Sequence, residues 1–164
     1  MNIKSLLAKP FASVVHRQIK KEQLTAVADQ QSILNQLVKT GKATIFGKEH
    51  KFDQINSPLE FQQAVPLRDY EAFKTYIEQI KKGTQNVLWK GLPLYLAKTS
   101  GTTSGIKYIP ISKESISNHI SGARNAILTY MSGSGNTDFA GGKMIFLSGS
   151  PELERVGGIP TGRL

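Results

Sequence analysis

Cysteine is absent from these 164 residues, so neither a disulfide framework nor a thiolate metal site is open to the chain. Histidine is scarce. His16, His50 and His119 lie far apart, with no HExxH or paired-His spacing, and give no case for a structural metal. No stretch reaches the roughly 18 apolar residues that a bilayer-spanning helix needs. The first twenty residues carry apolar positions, but Lys4, Lys9, His16 and Arg17 interrupt them, and no long apolar run with a small-residue cleavage site follows. A cytoplasmic protein that does not enter a membrane is the expectation. Acidic residues are few, 12 against 21 Lys and Arg, for a net charge of +9. That balance invites a nucleic-acid reading. The basic residues are scattered singly or in pairs such as Lys20-Lys21 and Lys81-Lys82, with no basic run interleaved with aromatics, so no nucleic-acid partner is expected.

Apolar residues make up 39% of the chain, including Trp89, five Tyr and seven Phe. That suffices for a core and argues against wholesale disorder. The length suits one domain or a piece of a larger one. Residues 3–21 read as an amphipathic helix, with Ile3, Leu6, Leu7, Phe11, Val14 and Val15 as an irregular stripe and Pro10 as a kink or restart. A second helix is expected from Gln23 to Lys39, with Leu24, Val27, Ile33, Leu34, Leu37 and Val38 on its apolar face and Gly41 as terminator. Ser57-Pro58-Leu59-Glu60 is a capping box with Pro at the first helical position. Asp69 is a natural N-cap for a helix carrying Tyr70, Phe73, Ile77 and Ile80, closed by Gly83.

The pattern then changes. Leu94–Ala97 and Lys107–Ile111 read as short strands on either side of a polar loop. Ser112 is placed to cap a helix over Lys113–Met131, Gly133–Gly142 reads as a flexible turn, and Lys143–Leu147 as another strand. Helices first, then strands mixed with helices, predict an α/β or α+β layer fold: a helical lead-in over 1–90, then sheet, loop and helix over 91–164. The Lys143–Leu147 strand is apolar on both faces and needs neighbours on both sides, yet few partners are in sight, so a partial domain is expected.

The informative segment is Thr99-Ser100-Gly101-Thr102-Thr103-Ser104-Gly105-Ile106-Lys107. Glycines let a backbone turn and point its N–H groups at one place. Hydroxyls add donors for anionic oxygens, and a lysine at the far end adds a full positive charge. Together these parts suit a polyphosphate. It is not a Walker A loop, because Lys107 follows Ile106 rather than a glycine and Tyr108 stands where Ser or Thr is required. The dinucleotide fingerprint G-x-G-x-x-G fails as well. Composition alone leaves a plain mobile hairpin loop open, since Ser, Thr and Gly are common in turns.

These nine residues resemble the phosphate-binding motif [ST]-S-G-T-T-G-x-P-K of the adenylate-forming superfamily, which includes acyl-CoA synthetases, luciferases and nonribosomal-peptide adenylation domains. Thr99 to Thr103 match it and Lys107 falls at the same distance, while Ser104-Gly105 and Ile106 depart from it. The departures look like the auxin-responsive promoter (Gretchen Hagen) family of acyl-acid amido synthetases. Val65-Pro66-Leu67-Arg68-Asp69-Tyr70-Glu71, Tyr76-Ile77 followed by Gly83, Trp89-Lys90-Gly91-Leu92-Pro93 and Tyr108-Ile109-Pro110 resemble segments of that family in the same order. The likeness runs from about Gln31 to Leu164.

The resemblance implies an ATP-dependent ligase, of which this chain is the N-terminal part of the adenylation domain. Its partners would be a small-molecule carboxylic acid and an amino acid, and its cofactors ATP and Mg²⁺. The alternatives are another adenylate-forming acyl-CoA ligase, or an inactive module that keeps only the loop. Thr99, Ser100, Gly101, Thr102, Thr103, Ser104 and Gly105 would hold the ATP phosphates. Lys107 would either add charge there or brace the loop. Arg124 would meet the acyl carboxylate; the plainer reading lays its stem on apolar surface, as it makes His119 a boundary histidine. The 164 residues alone are expected not to catalyse adenylation.

Overall fold

The computed structural model describes residues 3–99, 105–143 and 153–163. The chain divides into two compact units, one from 1–27 and 114–147, the other from 28–113 and 148–164. Helix α1, Ile3–Gly41, contributes to both. It is one continuous helix where the sequence predicts two, because no glycine or proline stands at the expected junction near Glu22 to end it; Pro10, inside the first of the two, costs one backbone bond without breaking the helix. Gly41 is its last residue, at the predicted stop. Among the described residues no helix is long and apolar enough to cross a membrane.

In the first unit α1 packs on α5, Ile116–Ser134. Of the stripe predicted to be buried, Val15 packs inward, but Leu6, Leu7, Phe11 and Val14 are each more than half exposed. Small residues go inside instead. Ala12 is fully buried against Leu128 and Met131, with Ala8, Val15, Ile127 and Phe139 around them. The Ser5 hydroxyl reaches the Thr137 carbonyl at 3.1 Å. Small side chains let helices approach closely, so a size criterion overrides hydropathy on this face. Helix α5 starts at Ile116, after a turn over 113–115, rather than at Lys113 under a Ser112 cap. It runs on through Gly133 until Gly135 takes the left-handed conformation at φ +69°. The predicted flexible turn over Gly133–Gly142 is thus partly helix, followed by a 3₁₀ turn over Asp138–Gly141.

The second unit sets a helix against a four-stranded mixed sheet of order β2-β1-β4-β3, with β1 Tyr95–Lys98, β2 Tyr108–Ile111, β3 Glu154–Val156 and β4 Ile159–Arg163. Strand β1 is antiparallel to β2 and parallel to β4. The predicted strand over Lys143–Leu147 falls mostly outside the described residues. The β3–β4 hairpin lies past the last strand read from the sequence. Gly157-Gly158, at φ +59° and +80°, forms the tight turn that such a pair favours.

Three short helices precede the sheet: α2 Ile45–Glu49, α3 Pro58–Ala64 and α4 Tyr70–Lys81. Thr44 caps α2 through Gly47 N at 2.9 Å, and the carbonyls of Asn86 and Val87 take the N–H groups of Ile45 and Phe46. The capping box forms as predicted, with Ser57 accepting from Glu60 N and Glu60 reaching back to the N–H of Asn56. Asp69 caps α4 through Ala72 N at 3.0 Å. Helix α4 lays Tyr76, Ile77 and Ile80 against Val87, Leu96 of β1 and Ile159 of β4, which together are the core of this unit.

At one end of that core a polar chain joins α2 to α4. The guanidinium of Arg68 donates to His50 Nε2 at 2.9 Å and to the Tyr76 hydroxyl at 3.4 Å. Tyr76 in turn donates to Glu49. His50 Nδ1 sits 2.8 Å from the Phe46 carbonyl. A carbonyl only accepts and a guanidinium only donates, so His50 is the neutral tautomer with its proton on Nδ1. The Phe46 ring stacks on His50 at 4.0 Å.

Two outcomes follow. A Cβ added at Gly157 would lie 2.2 Å from the Lys81 carbonyl, at a φ that side chains rarely adopt. Gly157→Ala is therefore expected to cost about 3 kcal/mol, read from urea unfolding. Burial and then the bond to Glu49 lift the Tyr76 phenol above its ordinary 10.0. The bond to Glu78 lifts Lys81 above 10.5, against the opposing effect of burial. Both groups hold their protons longer in the folded chain. Their stabilisation is complete below the ordinary values and is lost as pH rises through the raised ones. Unfolding midpoints measured across this alkaline range should fall, and Tyr76→Phe should make the fall shallower.

Candidate functional site

Strands β1 and β2 are joined by the hydroxyl- and glycine-rich loop. Their register pairs Lys98 with Tyr108 and Tyr95 with Ile111. The ladder continues one step into the loop, where Thr99 N donates to the Lys107 carbonyl at 3.0 Å. The foot of the loop is therefore held as sheet. Ser100, Gly101, Thr102, Thr103 and Ser104 lie outside the described residues. Gly105 is exposed, with φ +79°, a conformation that suits glycine.

Lys107 is half-buried, and its ammonium lies over the Tyr70 ring, 5.4 Å from the centroid. The Tyr70 hydroxyl accepts from Tyr108 N at 2.8 Å. On the Tyr108 ring rests the ammonium of Lys81, 4.8 Å from its centroid and paired with Glu78 at 2.7 Å. Helix α4 thus supports the start of β2 from both of its ends.

The parallel strands β1 and β4 carry their carboxyl ends to the same side of the sheet. Lys98 and Arg163 are register partners there. The carboxyl ends of parallel strands are the usual place for a ligand in open α/β sheets. The Lys98 side chain is only 14% exposed and reaches across β4 to Glu154 on β3. Arg163 is exposed. Lys98 and Arg163 thus add cationic groups beside the foot of the loop. Sequence reading missed Tyr70, Lys98, Glu154 and Arg163 as neighbours of the loop. Lys98 had a signal, since it immediately precedes Thr99. Tyr70 read as an apolar step on a helix and as part of a family-like segment, with no link to the loop, and nothing local points to the other two.

Arg124 belongs to the first unit. It is exposed on α5, and its guanidinium bonds the Asn125 side chain at 3.3 Å. His119, on the same helix, is exposed too. Among the described residues no three His, Asp or Glu side chains gather as a metal site. Any divalent cation at the loop would be held chiefly by the phosphates it accompanies. A cleft of about 340 Å³ lies between the end of α1 and the turn at Phe52–Asn56, and none of the loop's described residues lines it.

No curated protein matches the chain. The GH3 family N-terminal domain matches residues 15–164. That span begins within α1 and takes in the other helices, the whole loop and the four described strands, and the chain belongs to the GH3 family, the Gretchen Hagen auxin-responsive acyl-acid amido synthetases.

Proposed function

We propose that this chain is the part of an ATP-dependent acid–amido ligase that grips the triphosphate of ATP. The reading is carried by one observation. A nine-residue segment of hydroxyls, glycines and a lysine joins β1 to β2 at the carboxyl end of the sheet, in a member of the GH3 family.

In the first step a carboxylate oxygen of the acid attacks the α-phosphorus of ATP. The bond from that phosphorus to the bridging oxygen breaks, and pyrophosphate leaves with the electron pair. An amine then attacks the acyl carbon, loses a proton, and displaces AMP to give the amide. The first step needs the β- and γ-phosphates held in line while charge builds on the leaving group. Ser100, Thr102, Thr103 and Ser104 offer hydroxyls for those oxygens, and Gly101 and Gly105 allow the backbone to come close. Lys107 brings charge to the end of the loop, and its place beside Tyr70 keeps it near the loop's foot. Mg²⁺ would neutralise part of the phosphate charge. The carboxylic acid and the amino acid are the small-molecule partners of this reading, and Arg124 is the residue proposed to meet the acyl carboxylate.

Isothermal titration of the chain with Mg-ATP and with AMP tests the phosphate grip. ATP is expected to bind more tightly than AMP. Lys107→Ala should weaken ATP about tenfold, as loss of a charge-assisted contact does, and leave AMP unchanged. Gly101→Val should act in the same direction. Equal affinity for the two nucleotides, or indifference of ATP binding to both substitutions, would refute the reading.

A further inference from the structure

We infer that Tyr70 is a positioning residue for the loop, setting both the backbone and the ammonium of Lys107. The inference rests on the phosphate-binding reading above, and it concerns a residue outside the loop motif.

The peptide unit between Lys107 and Tyr108 is the hinge of the argument. Its carbonyl faces β1 and accepts from Thr99 N at 3.0 Å. The N–H of the same unit therefore points the other way, to the side of β2 away from β1, where β2 is the edge strand among the described residues. An edge N–H ordinarily goes to water. Here it donates to the Tyr70 hydroxyl at 2.8 Å. The peptide plane is thus gripped at both ends, by the sheet on one side and by α4 on the other.

The same tyrosine meets the side chain of the same lysine. The Lys107 ammonium lies 5.4 Å from the Tyr70 ring centroid. A lysine stem has four rotatable bonds, and a cation–π contact favours those rotamers that keep the charge near the ring. One aromatic residue thus sets where the chain leaves the loop and where the loop's cation waits.

Tyr70 is itself firmly placed. It is the first residue of α4, directly after the Asp69 cap. Arg68, two residues before it, is tied to His50 and Tyr76. The start of α4 is therefore anchored independently of the loop, as a strut must be. Preorganised donors and charges bind anions better because they need not be ordered on binding.

The test uses the whole 164-residue chain with the variants Tyr70→Phe, Tyr70→Leu, Lys107→Ala and Tyr70→Leu/Lys107→Ala. Mg-ATP, inorganic triphosphate with Mg²⁺, and AMP serve as probes, and thermal unfolding midpoints verify folding. Tyr70→Phe removes the bond to Tyr108 N and keeps the ring. It should weaken ATP and triphosphate about fivefold, leave AMP unchanged, and speed amide hydrogen exchange at Tyr108. Tyr70→Leu should lose about a further threefold, and that further loss should vanish when Lys107 is already alanine. A merely structural tyrosine would instead weaken all three probes alike, which overturns the inference. So does unchanged triphosphate affinity in Tyr70→Phe and Tyr70→Leu; if Lys107→Ala still weakens ATP, the phosphate reading stands without Tyr70. Unchanged exchange at Tyr108 in Tyr70→Phe removes the strut whatever the nucleotide does. If the unaltered chain binds ATP no better than AMP, the phosphate reading falls and takes this role with it.

Discussion

Strand β1, Tyr95–Lys98, is paired on both edges at once, antiparallel to β2 along all four residues and parallel to β4 over Leu96–Lys98. A backbone paired on both sides has no freedom to shift, and Leu96 and Ala97 within it are fully buried. The second unit is arranged around that strand. The antiparallel neighbour is reached through the hydroxyl- and glycine-rich loop, so the foot of the loop inherits the register of the sheet. The parallel neighbour arrives more than sixty residues later and carries Arg163 to the same end as Lys98. A loop hung from an edge hairpin alone would lack this fixed frame and this neighbouring charge.

Helix α4 converts that frame into local order at the loop. Its buried face fills the core with Tyr76, Ile77 and Ile80, while its first residue, Tyr70, touches the loop's exit. The polar chain through Glu49, Tyr76, Arg68 and His50 ties the start of α4 to α2. Because each of the four side chains bonds at least one other group, the network favours one arrangement of the two helices over others. The close approach of Gly157 to the Lys81 carbonyl does the same at the other end of α4, where any side chain would push the β3–β4 turn away. The aromatic contact and the glycine contact lie at opposite ends of one helix, so that helix meets both edges of the sheet.

In the first unit the same physics favours the smaller side chains. Ala12 and Ser5 face inward, while Leu7, Phe11 and Val14 face out. Helices packed closely leave little room between them, and a methyl group fits where an aromatic ring does not. Hydropathy placed Val15 and Val38 correctly but misplaced Leu6, Leu7, Phe11 and Val14, because it measures transfer from water and not the space available.

The sequence alone determined what depends on neighbours along the chain. The Ser57 and Asp69 caps, the stop at Gly41, the closure of α4 near Gly83, the two strands flanking the loop and the family likeness in Thr99–Lys107 are all local, because a cap or a turn is decided within a few residues. The merging of two expected helices into α1, and the hairpin over Glu154–Arg163, were also written locally, in the lack of any glycine or proline near Glu22 and in the Gly157-Gly158 pair, but competing signals hid them. Only the tertiary structure decided that β4 lies parallel to β1, that Arg163 stands beside Lys98, and that Tyr70 holds the peptide leaving the loop. Those pairings join residues from 38 to 65 positions apart, and no local preference specifies which distant group will satisfy an edge N–H or lie next to a charge.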